Sequence, residues 1–182
     1  MTSPVLSSII IIELREKTRK GKKTMITKTI ASIPFKYTYD ANHARSHFLI
    51  DGDTAYKNGG EFNEIVCKAI RGVKAEKDAN TPFDKGSDIE ETSTSIKSNG
   101  CSLTDKKLAD NKGDFLKEYF KRVHSTNVDY VIIIDEMVTI YNMEMEDFKE
   151  FTTLFAKWDK YSQKVRIKTT GKMIRWLEER IA

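Results

Sequence analysis

Apolar residues recur at two different periods along this 182-residue chain, and together they predict a mixed α/β fold. Apolar positions three and four residues apart are typical of amphipathic helices. They mark four segments: Glu61–Ile70, Leu108–Val123, Glu146–Trp158 and Gly171–Ile181. Gly72 follows the first segment and predicts its end.

Shorter apolar runs between these helices predict strands. Val128–Asp135 (VDYVIIID) is almost continuously apolar, which is typical of a strand covered on both faces. Met137–Tyr141 follows it as an edge strand pairing next to it. Asp88–Thr92 and Thr94–Ser98 predict two short strands or one bent strand, and Lys164–Lys168 predicts a strand whose basic residues point outward. The stretch before the first helix shows no clear period.

Length and composition restrict the number of domains and the cellular location of the protein, but they say little about its chemistry. The length suits one domain over residues 25–182, after a poorly ordered, strongly charged extension over residues 1–24. The formal net charge of +4 is compatible with an anionic partner. Two cysteines are too few for a disulfide framework, so we expect the protein to reside in the reducing cytoplasm. The longest apolar run, Ile9–Ile12, is far shorter than the roughly 20 residues of a membrane span, so no membrane partner is expected.

Three polar motifs stand in a specific order along these elements. The first helix carries glutamates in GGEFNEIVCKAI, Asp88 follows in KGSDIE, and Lys97 ends the strand TSIKS. A helix and the apolar strand VDYVIIID come next. This order resembles the PD-(D/E)xK nuclease superfamily over about residues 58–135. The Gly-x-x-x-Glu pattern from Gly60 to Glu64 and the nine-position step from Asp88 to Lys97 are similar to its mismatch-repair nicking enzymes and their restriction relatives.

The resemblance implies a restriction-endonuclease-like core, a mixed central sheet flanked by helices. It also implies a restriction-type or nicking endonuclease that hydrolyses DNA with Mg²⁺, or alternatively Mn²⁺. Asp88 would be the principal metal ligand, Glu64 would contribute from the helix, and Lys97 would act on the attacking water and the phosphate. The helical wheel slightly favours Glu61 over Glu64, so both remain candidates.

The sequence departs from this family at one position. The acid expected two residues before the lysine is Ser95, which shares a strand face with that lysine. The missing carboxylate could come from Asp110 or Asp105 after the strand, or from Glu90 or Glu91 near the aspartate. The substitution also leaves open a non-catalytic protein of the same fold that binds nucleic acid or another partner.

The C-terminal region predicts a nucleic-acid contact. Its basic side chains alternate along a strand and continue into the last helix: Lys164, Arg166, Lys168, Lys172 and Arg175. Such a surface can bind phosphates, and a charged, solvated edge strand explains the same pattern equally well. A homodimer would suit a palindromic DNA site, although no motif identifies its interface.

Overall fold

The structure is a computed structural model that describes residues 26–32, 36–40, 45–50, 54–57, 66–68, 70–72, 88–103, 109–134 and 137–181. The predicted extension over residues 1–24 lies outside these ranges.

Ten strands and three helices follow one another within the described residues. The strands are β1 Thr27–Ser32, β2 Lys36–Asp40, β3 Arg45–Ile50, β4 Thr54–Lys57, β5 Thr94–Ser98, β6 Ser102–Leu103, β7 Asn127–Ile134, β8 Met137–Glu144, β9 Lys157–Asp159 and β10 Lys164–Arg166. The helices are α1 Lys112–Arg122, α2 Met145–Phe155 and α3 Gly171–Glu178. Residues 66–68 and 70 are also helical and are called the Cys67 segment below. None of the described helices is long and apolar enough to cross a membrane.

The central sheet has the strand order β1-β8-β7-β5. Strand β7 pairs antiparallel with β8 and parallel with β5, and β8 pairs antiparallel with β1. Because parallel strands need a long crossover, the chain passes through α1 between β5 and β7. The prediction of a mixed α/β protein is confirmed. The prediction that β8 is an edge strand is wrong, because β1 covers its outer side.

Each face of this sheet packs on different elements. On β7, Val128, Tyr130 and Ile132 are buried in the larger core cluster with α1, α2 and α3; this side is called the helix face. Val131 points the other way and is buried with the Cys67 segment; this side is called the Cys67 face. The predicted strand with two covered faces is therefore confirmed.

Aromatic side chains of α2 form the centre of the larger core. Phe148 and Phe151 are fully buried, with ring centroids 6.0 Å apart. Phe151 also contacts Tyr130 of β7 at 5.2 Å and Trp176 of α3 at 5.8 Å. Truncating so buried a phenylalanine to alanine typically costs about 3–5 kcal/mol, so this helical stripe fixes α2 and α3 on the sheet.

A small sheet of order β6-β10-β9 borders the larger core. Val165 and Ile167 are fully buried, whereas Lys164, Arg166 and Lys168 between and beside them are exposed. The predicted alternation of basic residues outward is confirmed.

One predicted strand is absent, and three predicted helices have different ends. The segment from Asp88 to Thr92 is not a strand, because only Ile89 makes an isolated bridge and residues 90–93 turn. The second helix begins at Lys112 instead of Leu108, where Asn111 caps it by accepting from the Asp114 amide at 3.0 Å. The third ends at Phe155, because Trp158 pairs with Val165 in the small sheet. The last predicted helix, Gly171–Ile181, ends at Glu178.

The N-terminal strands were not predicted. Strands β2, β3 and β4 form an antiparallel sheet in that order, and β1 completes the central sheet.

Candidate active site

A tight hairpin places Asp88 beside strand β5. The amide of Ile89 donates to the Thr94 carbonyl at 3.0 Å, and the amide of Thr94 donates back to the Ile89 carbonyl at 3.0 Å. Ser93 closes the intervening turn with a φ of 49°, a left-handed conformation that costs a non-glycine residue some energy. Asp88 therefore lies opposite the residues that follow Thr94.

The Asp88 carboxylate contacts two groups of β5. Its Oδ2 accepts from the Ser95 hydroxyl at 3.1 Å and from the Ile96 amide at 2.5 Å. That amide lies on the side of β5 away from β7, so the carboxylate satisfies an edge donor that would otherwise need water. Both bonds use Oδ2, and Oδ1 accepts no hydrogen bond from the described residues.

Lys97 lies on the same face of β5 as Ser95. Side chains two apart on a strand share a face, and Ile96 between them is buried on the Cys67 face. Lys97 is half-buried on the helix face, in register with Tyr130 of β7. The Tyr130 hydroxyl is 2.9 Å from the Thr169 hydroxyl, which links this part of the helix face to the segment just before α3.

The charge of Lys97 also acts on a neighbouring thiol. Burial raises the pKa of Cys101 overall, while a backbone hydrogen bond from Ser98 and the positive charge of Lys97 oppose that rise. The lysine is therefore positioned at the end of β5, where the chain turns towards the small sheet.

The structure describes only some of the other predicted ligands. Glu61 and Glu64 lie outside the described residues. The Cys67 segment, which follows them in the chain, packs on the face of β5 opposite Lys97. Glu91 is exposed in the turn, and Asp110 is exposed just before α1. Across the described ranges, no three histidine, cysteine or acidic side chains are grouped as a metal site would require.

The predicted nucleic-acid contacts are all exposed: Lys164, Arg166, Lys168, Lys172 and Arg175. Arg166 pairs with Asp159 of β9 at 3.0 Å. The backbone after β10 is hydrogen-bonded to the turn after β5, through Gly100 to Ile167 at 2.8 Å and through Thr169 to the Asn99 side chain at 2.9 Å. The basic strand therefore continues to the end of β5 that carries Lys97.

Sequence reasoning missed a buried polar network on the Cys67 face. Asp129 of β7, only 1% exposed, accepts two hydrogen bonds from Arg71 at 2.8 and 2.9 Å and one from Asn142 at 2.8 Å. Cys67 donates a weaker one at 3.4 Å. The available signal was an aspartate within the apolar run VDYVIIID, because a buried carboxylate needs partners.

The network changes the pKa values of two of its own residues, Arg71 and Cys67. Burial is the largest influence on Arg71 and acts to lower its pKa, but the hydrogen bonds and charge of Asp129 outweigh it and raise the pKa overall. Burial raises the pKa of the Cys67 thiol strongly, and Asp129 raises it further. Cys67 is therefore a protonated, structural thiol, which agrees with the absence of a catalytic partner near it in the sequence.

The described site thus holds one carboxylate, a hydroxyl and a primary amine on one edge of a sheet. No protein-family model, curated protein or solved structure matches this chain.

Proposed function

We propose that this protein is a metal-dependent endonuclease that hydrolyses phosphodiester bonds of DNA, with a restriction-endonuclease-like core. The carrying observation is the contact between Asp88 and Ser95 at 3.1 Å, with Lys97 two residues further along the same strand face. In the superfamily that the sequence resembles, the first acid and the acid two residues before the lysine hold the metal together. Here the corresponding side chains meet.

The donor set suits magnesium, with manganese as the alternative. Mg²⁺ prefers oxygen ligands, keeps several waters and often needs only one or two protein carboxylates plus a substrate phosphate. Asp88 offers its Oδ1, Ser95 offers a neutral oxygen, and Glu64 or Glu61 would supply the second carboxylate. When bound, the cation neutralises charge on the phosphate and polarises water.

Lys97 would serve the reaction through its charge. A half-buried ammonium at the edge of the sheet stabilises the extra negative charge of the transition state more strongly than it would in bulk water. It also orients the attacking water by hydrogen bonding. Lys97 is the residue whose neutralisation should reduce the rate most while leaving metal binding in place.

The substrate contact is assigned to the basic surface formed by Lys164, Arg166, Lys168, Lys172 and Arg175. Its strand is hydrogen-bonded to the turn that follows Lys97, so DNA bound there can reach the candidate site. A two-fold dimer would place two such sites on a palindrome and cut both strands. Because both cysteines are free thiols, the proposed location is the reducing cytoplasm.

A second function, a non-catalytic nucleic-acid-binding or interaction protein of the same fold, is favoured by a different aspect of the same contact. Asp88 satisfies the Ile96 amide at 2.5 Å, and Ser95 replaces an acid. A satisfied backbone amide and a neutral hydroxyl can both serve the stability of an edge strand without any role in catalysis.

Plasmid cleavage separates the two functions. Supercoiled plasmid is incubated with Mg²⁺ and the parent protein, Asp88→Asn or Lys97→Met. Asp88→Asn keeps an oxygen for the Ile96 amide and removes the charge, so it tests chemistry more than folding. Loss of a transition-state contact typically costs about 100- to 1,000-fold in rate, and this loss is expected for both variants.

Matched controls are Glu179→Gln and Lys117→Met, which remove exposed charges elsewhere. Glu64→Gln and Glu61→Gln, assayed side by side, identify the helical ligand. Metal-independent mobility shifts without cleavage by the parent would establish the binding protein and reject the enzyme.

A further inference from the structure

The hairpin formed by β9 and β10 carries an almost completely exposed tyrosine at its tip. Tyr161 is 99% exposed. The backbone around it is held in place, because Asp159 Oδ1 accepts from the amides of Tyr161 at 3.1 Å and Ser162 at 3.3 Å. Gln163 completes the turn with a φ of 48°. The ring therefore projects into solvent from a structured turn.

The opposite face of the hairpin is anchored in the core. Val165 is fully buried, and its cross-strand partner Trp158 packs on Phe115 of α1 with ring centroids 5.7 Å apart. The exposure of Tyr161 is thus not the result of a detached hairpin.

The outer face of the hairpin is strongly basic. Between residues 157 and 168 the chain has one acid, Asp159, which pairs with Arg166 at 3.0 Å. The exposed cations of this stretch are Lys157, Lys160, Lys164, Arg166 and Lys168. A surface with many positive charges favours binding of a polyanion. The exposed ring of Tyr161 among these charges adds a flat apolar group, which does not take part in charge pairing and can bind a different part of the partner.

We propose that the β9–β10 hairpin binds a nucleic-acid strand whose phosphates contact these cations while Tyr161 stacks on an unpaired base. This inference rests on the proposed function and narrows its substrate to DNA with an unpaired base near the cut. Every base offers a π-face, so an aromatic side chain in a positively charged surface binds single strands with little sequence preference. An acidic polypeptide would satisfy the lysines but would give the ring no comparable partner.

The distance to the candidate active site is short enough for one strand to occupy both. From Gln163 to Thr169 the chain spans at most roughly 20 Å, since a fully extended residue covers about 3.5 Å. Thr169 is hydrogen-bonded to Asn99, two residues after Lys97. A DNA strand lying along the hairpin therefore leads from Tyr161 towards the lysine.

Fluorescence anisotropy in EDTA tests the inference without cleavage. The probes are a fluorescein-labelled single strand, the fully paired duplex, and a labelled strand of the same length in which every position lacks its base. Tyr161→Ala should weaken binding of the single strand by about 5- to 150-fold, which is the usual effect of losing one stacked base. Tyr161→Phe keeps the ring and should bind as the parent does.

The abasic strand carries the same phosphates, so its affinity should be unchanged by Tyr161→Ala. Lys164→Gln should weaken binding of all three probes and reduce the salt slope by about 1. An unchanged unfolding midpoint of Tyr161→Ala, expected for so exposed a side chain, shows that the fold is retained.

Equal affinity of Tyr161→Ala and the parent for the base-bearing strand overturns the inference, as does an equal loss on the abasic strand. Competition by polyglutamate as effective as that by the single strand, and lost in Tyr161→Ala, would reassign the surface to acidic polypeptides. The anisotropy assay measures binding and not cleavage, so the two proposals can fail separately. If the parent binds in this way but does not cut plasmid, the endonuclease proposal alone is rejected. A parent that cuts plasmid and binds independently of Tyr161 rejects this inference alone.

Discussion

Arg71 donates two hydrogen bonds to Asp129, from NH2 to Oδ1 at 2.8 Å and from Nε to Oδ2 at 2.9 Å. This pair connects the end of the Cys67 segment to β7, an inner strand of the central sheet. Asn142, on the adjacent strand, adds a third donor to the same carboxylate. A planar guanidinium matches both carboxylate oxygens, so the charge of Asp129 is compensated where water cannot reach it.

Removing one partner of this pair should destabilise the protein strongly. Asp129→Ala leaves the partly buried Arg71 without its counter-charge, and breaking such a pair typically costs about 3–5 kcal/mol. Urea unfolding followed by circular dichroism measures the change in free energy. The control Glu179→Ala removes an exposed acid directly after α3 and should stay within about 0.5 kcal/mol.

The double variant Arg71→Leu with Asp129→Leu separates the charge from the packing. Replacing both ions with apolar groups leaves no unpaired charge, so it should be clearly more stable than Asp129→Leu alone. A double variant as unstable as the sum of its single changes would show that the two residues act independently.

The sequence predicted those elements whose apolar pattern is complete within a short stretch of chain. The one-sided stripe that includes Phe148 and Phe151 indicated α2, and the continuous apolar run around Val131 indicated β7, which is covered on both faces. Both patterns are local, because the period of the apolar residues shows which faces of an element are buried. The position of β8 inside the sheet did not follow, because it depends on β1, which pairs with it across more than a hundred residues.

Short elements that depend on tertiary pairing could not be predicted from the sequence either. Trp158 continues a helical stripe, yet it belongs to a three-residue strand because β10 offers it a partner. At the candidate site, the resemblance marked Asp88 as a metal ligand and Ser95 as the residue that replaces an acid, and the structure brings these two side chains into contact. The role of Asp129 was overlooked because an apolar run was assigned to packing as a whole, without asking what one buried carboxylate would need.

Glu178 is expected to make the free energy of unfolding depend on pH in the acid range. Burial acts to raise its pKa, but hydrogen bonds from Lys28 and Tyr141, both at 2.6 Å, outweigh burial and lower the pKa overall. A lowered folded-state pKa contributes stability that is present above the unfolded-state pKa and is lost as the pH falls through the folded-state value. The contribution should therefore be full near neutral pH and disappear in acid.

The variant Glu178→Gln measures this contribution. It should be less stable than the parent near neutral pH, and the difference should shrink towards zero as urea titrations are repeated from about pH 7 to about pH 3. The control is Glu179→Gln at the next position, where the exposed carboxylate has no comparable hydrogen bonds to other described residues. A difference that stays constant across this range would show that the carboxylate charge of Glu178 contributes nothing.

Both cysteines should be unreactive in the folded protein. Burial raises the pKa of Cys67 and of Cys101, so little thiolate is present for either at about pH 8. Titration with a thiol-reactive disulfide reagent should give slow modification in buffer and two rapid equivalents in denaturant. The variants Cys67→Ser and Cys101→Ser assign each phase, and a rapid phase from Cys67 in buffer would contradict its buried hydrogen bond to Asp129.

Ser95→Asp tests whether the edge of β5 accepts a cation. The hydroxyl of Ser95 donates to Asp88 Oδ2 at 3.1 Å, and a carboxylate in its place removes that donor and sets two negative charges side by side. Without metal the variant should melt below the parent, by about 2–4 °C for each kcal/mol lost in a chain of this size. A cation bound between the two carboxylates would relieve the repulsion, so Mg²⁺ or Mn²⁺ should raise the melting temperature of Ser95→Asp more than that of the parent.

Ser95→Asn has a side chain of nearly the same size and no charge, so it isolates the electrostatic part of this effect. Its melting temperature should be insensitive to Mg²⁺, and NaCl at equal ionic strength should not reproduce the rescue of Ser95→Asp, since screening acts on all surface charges alike. Equal responses of the two variants to Mg²⁺ would mean that no cation lies between positions 88 and 95. In that event the contact between Asp88 and Ser95 stabilises the strand edge alone, and the endonuclease proposal would lose the observation that carries it.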